Sequence, residues 1–285
     1  MSNFNYEIIK VMNNNVILAR DLIKGTEAIL IGKGLGFNAP KGKKVYIPKE
    51  KIEKSFITYD KKLRKEYFDL VELIKPEIME VCAEIILYAE ENLGKLSPRV
   101  HIVLTDHIAF ALERIKKNME ITNPFLLEIK SMYKEEYKIG IKAKEMIEDK
   151  IGVKISEEEI GFITLHLNAA REHKDVKQKL KNTRLVKELV EIVERELDYK
   201  IDNNGLTYSR LINHFRGSIE RTENNTILEN PLLETIKHEF RESYNISKLI
   251  KKHIEKNLDI VVSDYELGYM TIHINRVKQM VKMKK

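Results

Sequence analysis

Moving this 285-residue chain along itself by 107 positions superposes Asn123-Pro124 on Asn230-Pro231, Tyr137-x-Ile139 on Tyr244-x-Ile246, and Glu159-x-Gly161 on Glu266-x-Gly268, with no gap. Residues 107–168 set against 214–275 share about 21 identities in 62 positions, and about a third of the mismatches exchange one apolar residue for another, as Phe162 for Tyr269. A duplication of this kind constrains the fold more than any other feature, because both copies must fold alike. Periodicity says what that fold is. Leu70, Leu73, Ile74, Ile78, Val81 and Ile85 recur at three- and four-residue spacings with Glu and Lys between them, the pattern of an amphipathic helix. Further helical windows lie at 100–118, 142–151, 157–170 and 183–196, and Ser156 with Glu159 and Ser263 with Glu266 have capping-box spacing. The repeat thus predicts two homologous all-α helical bundles, over 61–172 and 173–285, with the boundary in the charged, apolar-poor stretch 171–182.

The first sixty residues follow a different period. Runs of β-formers at 6–12 and 16–19 flank Asn13-Asn14-Asn15, a turn sequence because Asn tolerates left-handed backbone angles, so a hairpin is expected. Another apolar run at 27–31 leads into Gly32, Gly34 and Gly36 in alternation and then the basic segment Lys41-Gly-Lys-Lys44. The fold class is therefore multidomain, a small antiparallel β domain over 1–60 followed by the two helical bundles. A single small sheet covered on neither face exposes its apolar side, and self-association would remedy that, so a homodimer is expected.

Charge points to a partner. The net charge is +6, and residues 1–54 hold about ten Lys and Arg against five Asp and Glu, so most of the excess sits on the β domain, where nucleic acid is the natural ligand. The longest apolar runs, such as 16–19 and 28–31, are far below membrane-spanning length, and the start MSNFNYEIIK lacks a secretory pattern. The single cysteine, Cys82, makes no internal disulfide and reads as a small buried helix residue in a reducing compartment. A cytoplasmic chain without membrane insertion is expected.

The repeat sorts eight histidines into two groups. His107 aligns with His214 and His166 with His273, whereas His101, His173, His238 and His253 fall opposite Tyr208, Met280, Ser131 and Met146. Each retained histidine keeps its context: His107 precedes Glu113-Arg114 as His214 precedes Glu220-Arg221, and His166 and His273 sit in Gly-aromatic-x-Thr-[Leu/Ile]-His-[Leu/Ile]-Asn. Imidazole can serve as a general base, a metal ligand or a phosphoryl acceptor. No Ser or Cys nucleophile motif repeats, and Asp106, the natural metal partner of His107, becomes Asn213 in the second copy. Phosphoryl acceptance fits best, needing a neutral ring nitrogen and nearby donors, which Arg114, Arg221, Asn168 and Asn275 can supply. A satisfied core histidine and a solvated Glu-Arg helix face are the bland alternatives. No metal or other cofactor is expected.

These residues resemble a known family, the bacterial transcriptional antiterminators controlled by the sugar phosphotransferase system, of β-glucoside, sucrose and glucose type. The resemblance spans the chain and rests on Lys10-Val-Met-Asn-Asn-Asn-Val16 and Ile31-Gly-Lys-Gly-Leu-Gly-Phe37 together with the duplicated histidine motifs. It implies an RNA-binding domain in which Lys10, Asn13, Asn15, Gly32, Lys33 and Phe37 contact a partly mismatched mRNA hairpin, and two regulation domains in which His107, His166, His214 and His273 are phosphorylated. Lys33 stands where some relatives carry Arg, so a phosphate contact suits it better than a bidentate base contact. Taken alone, the Asn run is a turn, Phe37 a core residue and Lys41 to Lys44 a solvated loop.

The resemblance further implies a non-enzymatic regulator that prevents terminator formation as a homodimer, with the phosphocarrier protein and a sugar permease as phosphoryl donors. The wording of the glycine motif and of Asn123-Pro-Phe-Leu leans to the glucose type, and so to a glucose permease operon. A phosphocarrier or phosphotransfer protein with an accessory nucleic-acid module, and a DNA-binding activator, are the competing readings. The chain contains no Gly-x4-Gly-Lys-Ser/Thr loop and opens with no helix-turn-helix pattern.

Overall fold

Short runs of β-prone apolar residues, continuous rather than alternating in β2 and β3, build three adjacent antiparallel strands at the N-terminus, β1 (Tyr6–Val11), β2 (Val16–Asp21) and β3 (Glu27–Ile31). The structure, a computed structural model, describes residues 5–11, 14–52, 54–57, 70, 73–119 and 121–284. Two short strands, β4 (Lys44–Val45) and β5 (Lys54–Ile57), complete the sheet in the order β4-β1-β2-β3-β5. Pairing of Ile17 with Leu30 and of Ala19 with Ala28 places these four on one face, where Ile8, Leu35, Ala39 and Ile47 pack on them. The alternate residues Val16, Leu18, Ile29 and Ile31 line the other face, and Met79 and Ala83 of helix α1 (Pro76–Leu93) pack against it. Both faces are thus covered. The expectation of a bare sheet is corrected, because α1 supplies an apolar layer on that face.

Among the described residues the helices of the first copy are α1, α2 (Val100–Lys116), α3 (Leu126–Met132), α4 (Lys134–Ile151) and α5 (Glu157–Arg171). Their counterparts are α6 (Val176–Leu197), α7 (Leu206–Glu223), α8 (Leu233–Glu239), α9 (Arg241–Leu258) and α10 (Asp264–Lys284). Pro76 at the start of α1 and Gly94 in a positive-φ conformation after its end follow the usual asymmetry of helix termini. Heptad-like spacing delivers Val81, Cys82, Ile85, Leu104, Ile108, Ala143, Ile147, Ile163 and Leu167 to one continuous core.

Three local readings change. Helix α6 begins inside the stretch taken as a boundary, since the Asp175 carboxylate accepts the Lys177 N–H at 2.7 Å and caps it. Its first turns bury Lys179, Asn182 and Thr183 rather than apolar residues, which hid the helix from hydrophobic periodicity. Helix α4 begins at Lys134, eight residues before its window. At α5, Ser156 makes no side-chain cap, and at α10 Ser263 Oγ accepts the Glu266 N–H at 3.4 Å while the carboxylate goes elsewhere. Both glutamates of the supposed capping boxes are drawn into the histidine sites described below.

The chain forms two compact units, Met1–Thr122 with Glu135–Lys174, and Asn123–Lys134 with Asp175–Lys285. Helix α3, first-copy by sequence, therefore belongs structurally to the second unit, where it packs on α6 and α7. Tyr208 donates its hydroxyl proton to the buried Glu128 at 2.6 Å, Ser131 bonds Ser209 at 2.9 Å, and Lys187 reaches the Pro124 carbonyl at 2.9 Å. The buried Tyr133 ring has the Lys179 ammonium and the Arg216 guanidinium each 5.8 Å from its centroid. The equivalent helix α8 packs on α9 and α10.

Candidate functional site

Seven residues are close to two helical turns, so side chains seven apart share a face. His107 and Arg114 on α2, and Glu159 and His166 on α5, have this spacing, as do His214 and Arg221 on α7 and Glu266 and His273 on α10. Packing of α2 on α5, and of α7 on α10, turns the two faces toward each other. The retained histidines consequently meet. His107 and His166 stack with ring centroids 4.8 Å apart, and His214 and His273 with centroids 3.2 Å apart. The unmatched histidines lie elsewhere: His101 is buried, His173 closes α5 at φ 55°, His238 sits beside Glu239, and His253 pairs with Glu188 at 2.8 Å.

In the first site, Arg114 Nη2 donates to Glu159 Oε1 at 2.5 Å, and Glu159 Oε2 lies 3.3 Å from His107 Nε2, off the line of a good hydrogen bond. Burial pushes the Glu159 pKa up, but His107 and Arg114 together outweigh it and hold the carboxyl below its ordinary value. His166 is pushed down to about 3, chiefly by burial and then by its neighbour His107, so its ring is neutral at physiological pH. The Phe110 ring, largely exposed, lies 5.3 Å under the Arg114 guanidinium.

The second site is wired differently. Arg221 grips Glu266 with two bonds of 2.7 and 2.8 Å, and Ser218 Oγ donates to the same carboxylate at 2.7 Å. Burial and then the positive charge of Arg221 lower the His214 pKa, and His273 is lowered to about 4 by burial, His214 and Arg276. The first site thus offers a neutral ring at His166 and the second at both histidines, each site with an arginine bound to its glutamate, the groups a phosphoryl acceptor needs.

Sequence reasoning missed Glu159 and Glu266, although the repeated Glu-x-Gly match marked them; their position after a helix-capping serine suggested a local role instead. It also grouped Asn168 and Asn275 with the rings, which needs correction. A residue two places after a histidine points about 200° away around the helix. Asn168 donates to Glu136 at 3.1 Å and to Glu172 at 3.3 Å, while Asn275 accepts from Ser243 at 3.4 Å.

At the edge of the sheet, the turn and the glycine loop are tied together. Asn15 Oδ1 accepts the Gly34 N–H at 2.8 Å, the Asn15 carbonyl accepts the Gly32 N–H at 3.0 Å, and the Asn14 carbonyl accepts the Gly36 N–H at 2.8 Å. Gly32 is required by packing, since a Cβ there would collide with the Lys51 carbonyl oxygen, and Gly34 takes φ +73°. Phe37 is 67% exposed, against its reading as a core residue, and Lys33, Lys41, Lys43 and Lys44 are exposed near it in sequence. Lys10 is half-buried on β1, and Asn13 lies outside the described residues. An exposed aromatic ring among amides and lysines suits single-stranded or unpaired bases better than a regular duplex.

The CAT RNA binding domain family matches residues 6–65, and the PRD domain family matches twice, at 83–170 and 187–277. The transcription antiterminator LicT of Bacillus subtilis is 36% identical over 95% of this chain and 98% of its own length. This chain belongs to the transcription antiterminators controlled by the sugar phosphotransferase system. Other relatives include the GlcA/glcB genes antiterminator of Staphylococcus carnosus, 34% identical over 96% of both chains, and the beta-glucoside operon antiterminator of Dickeya chrysanthemi, 31% identical over 95% of this chain and 96% of its own. A crystal structure of GlcT CAT-PRDI aligns with 58% of this antiterminator and 97% of that chain, at 36% identity and a TM-score of 0.54. The family is one of RNA-binding regulators rather than enzymes, and the two PRD matches fall on the two helical copies. No helix among the described residues is long and apolar enough to cross a membrane.

Proposed function

We propose that this antiterminator binds, as a cytoplasmic homodimer, a partly mismatched hairpin in nascent mRNA upstream of a sugar-uptake operon, one encoding a glucose permease. Lys10, Asn13, Asn15, Lys33 and Phe37 carry the RNA contacts, with Gly32 shaping their loop, and the working domain bounds are 1–60, 61–172 and 173–285. His107, His166, His214 and His273 accept phosphoryl groups from the phosphocarrier protein and the permease. The observation that carries this reading is the stacking of both retained histidine pairs beside a guanidinium, repeated in two diverged copies.

Phosphate on the first pair adds roughly −1.5 to −2 charge next to Glu159, an ionised carboxylate that already shares Arg114. Two anions then compete for one guanidinium, so α2 and α5 are pushed apart and the arrangement that supports RNA binding is lost. Phosphohistidine mapping by mass spectrometry at neutral pH, after incubation with phosphocarrier or permease domain separately, tests the reading. Phosphate is expected on the four paired histidines and on none of His101, His173, His238 and His253; labelling of those four instead would refute it.

A further inference from the structure

Two adjacent replacements on the duplicated helix separate the two sites. Phe110-Ala111 of α2 aligns with Gly217-Ser218 of α7. In the second site the absence of a side chain at Gly217 lets Arg221 lie back over its own helix, where a Cβ on Gly217 would sit 3.1 Å from Arg221 Nη1. Arg221 then reaches both oxygens of Glu266, and Ser218 fills the remaining lone pair of Oε2. The charge that faces His214 is the Arg221 guanidinium.

In the first site the same carboxylate has fewer partners. Arg114, resting on Phe110, gives Glu159 one hydrogen bond, and Ala111 offers no hydroxyl. Glu159 Oε2 is consequently buried without a hydrogen-bond donor and faces His107 Nε2 at 3.3 Å, with that nitrogen buried as well. We propose that the Ala111/Ser218 difference decides whether the buried glutamate serves the imidazole: Glu159 holds His107 as the Nε2–H tautomer, making Nδ1 the atom that accepts phosphate, whereas Ser218 withholds Glu266 from His214.

This rests on the reading of His107 as a phosphoryl acceptor. In the transfer, the donor's bond to phosphorus breaks and its electron pair returns to the donor side chain. A new N–P bond forms at His107 Nδ1 from the ring lone pair, and the Nε2 proton stays on the ring, where the Glu159 carboxylate balances the positive charge that develops. Glu159 is thus a positioning residue, in contact with the acceptor ring and not with phosphorus.

The test uses the full-length protein with 15N-labelled histidine. Long-range 1H–15N spectra of the unphosphorylated chain are expected to show His107 with its proton on Nε2, and Ala111→Ser, which gives Glu159 a hydroxyl partner, is expected to erase that preference while leaving His214 unchanged. The double variant Phe110→Gly/Ala111→Ser, which rebuilds the second-site wiring, is expected to have the stronger effect. After incubation with a phosphorylated permease domain, 31P spectra should report Nδ1-phosphohistidine at His107, formed about tenfold more slowly in Ala111→Ser. A His107 tautomer that Ala111→Ser does not move, or phosphate on Nε2, overturns the proposal. Failure of all four histidines to take phosphate would instead overturn the functional reading, and the tautomer measurement, made without a donor, separates the two outcomes.

Discussion

The rings of His214 and His273 lie 3.2 Å apart, centroid to centroid, with 19° between their planes. Burial disfavours a proton on either ring, and a neighbouring positive charge adds to it, Arg221 at His214, and His214 with Arg276 at His273, so both rings are held below their ordinary pKa. His166 is held neutral by the same two effects against His107.

Acid should therefore unfold the helical units. An unfolded chain protonates these rings near pH 6.5, while the fold resists until about 3 at His166 and about 4 at His273. The unfolded state then binds more protons throughout that interval. Stability is full above the unfolded value, falls as the pH drops from 6.5 toward 4 and 3, and levels off below. Thermal melts from pH 7.5 to 4.5 should show a falling midpoint, and His166→Gln/His273→Gln should flatten it; parallel curves would mean the rings are not held neutral.

Phe37 and Gly32 sit on one loop but should fail in different ways. Phe37→Ala removes an exposed ring, so the melting temperature should stay within about 2 °C of the parent, while hairpin affinity drops by tenfold or more, the worth of about one stacked base. Gly32→Ala forces a collision with the Lys51 carbonyl and should lower stability first. Calorimetry paired with RNA titration separates the two; a Phe37→Ala chain that melts early but binds normally would return Phe37 to a structural role.

Lysines that touch RNA phosphates should reveal themselves in salt. Replacing Lys33 or Lys44 with Ala should weaken cognate and fully paired hairpins alike and reduce the slope of log affinity against log salt by roughly 0.7 to 0.9 for each phosphate no longer neutralised. An unchanged slope would place these side chains away from the RNA backbone.

The anchoring of α3 can be tested at one hydroxyl. Tyr208→Phe leaves Glu128 buried and without that donor, which should destabilise the second unit by about 1 to 3 kcal/mol. Amide exchange in residues 126–132 should rise with it. Faster exchange confined to α7 would show that α3 is held by its apolar contacts alone.

Much of this molecule was legible in its sequence because the duplication carried the information twice. The period of the apolar residues announced both bundles, and the matched histidines announced both sites before any contact was known. Glu159 and Glu266 escaped because a glutamate three places after a serine has a local explanation, and only the packing of α2 on α5 shows that the carboxylate has a distant partner. The cover on the sheet escaped for a related reason. Nothing in residues 16–31 says that Met79 and Ala83 will lie on them, because such contacts depend on how elements far apart in sequence are brought together.

The sequence repeat and the packing divide residues 123–134 differently, and that has a practical result for anyone who recombines these proteins. A chimaera joined at residue 174 to another family member takes α6 through α10 but leaves behind the helix that covers Tyr208, Ser209 and the flank of α7. The transplanted half would accept whatever sequence the new host carries at that place, and its stability would then depend on a match between hosts at Glu128, Ser131 and Tyr133. Through Glu128, Ser131 and Tyr133 the second compact unit is thus completed by side chains that the sequence repeat assigns to the first copy.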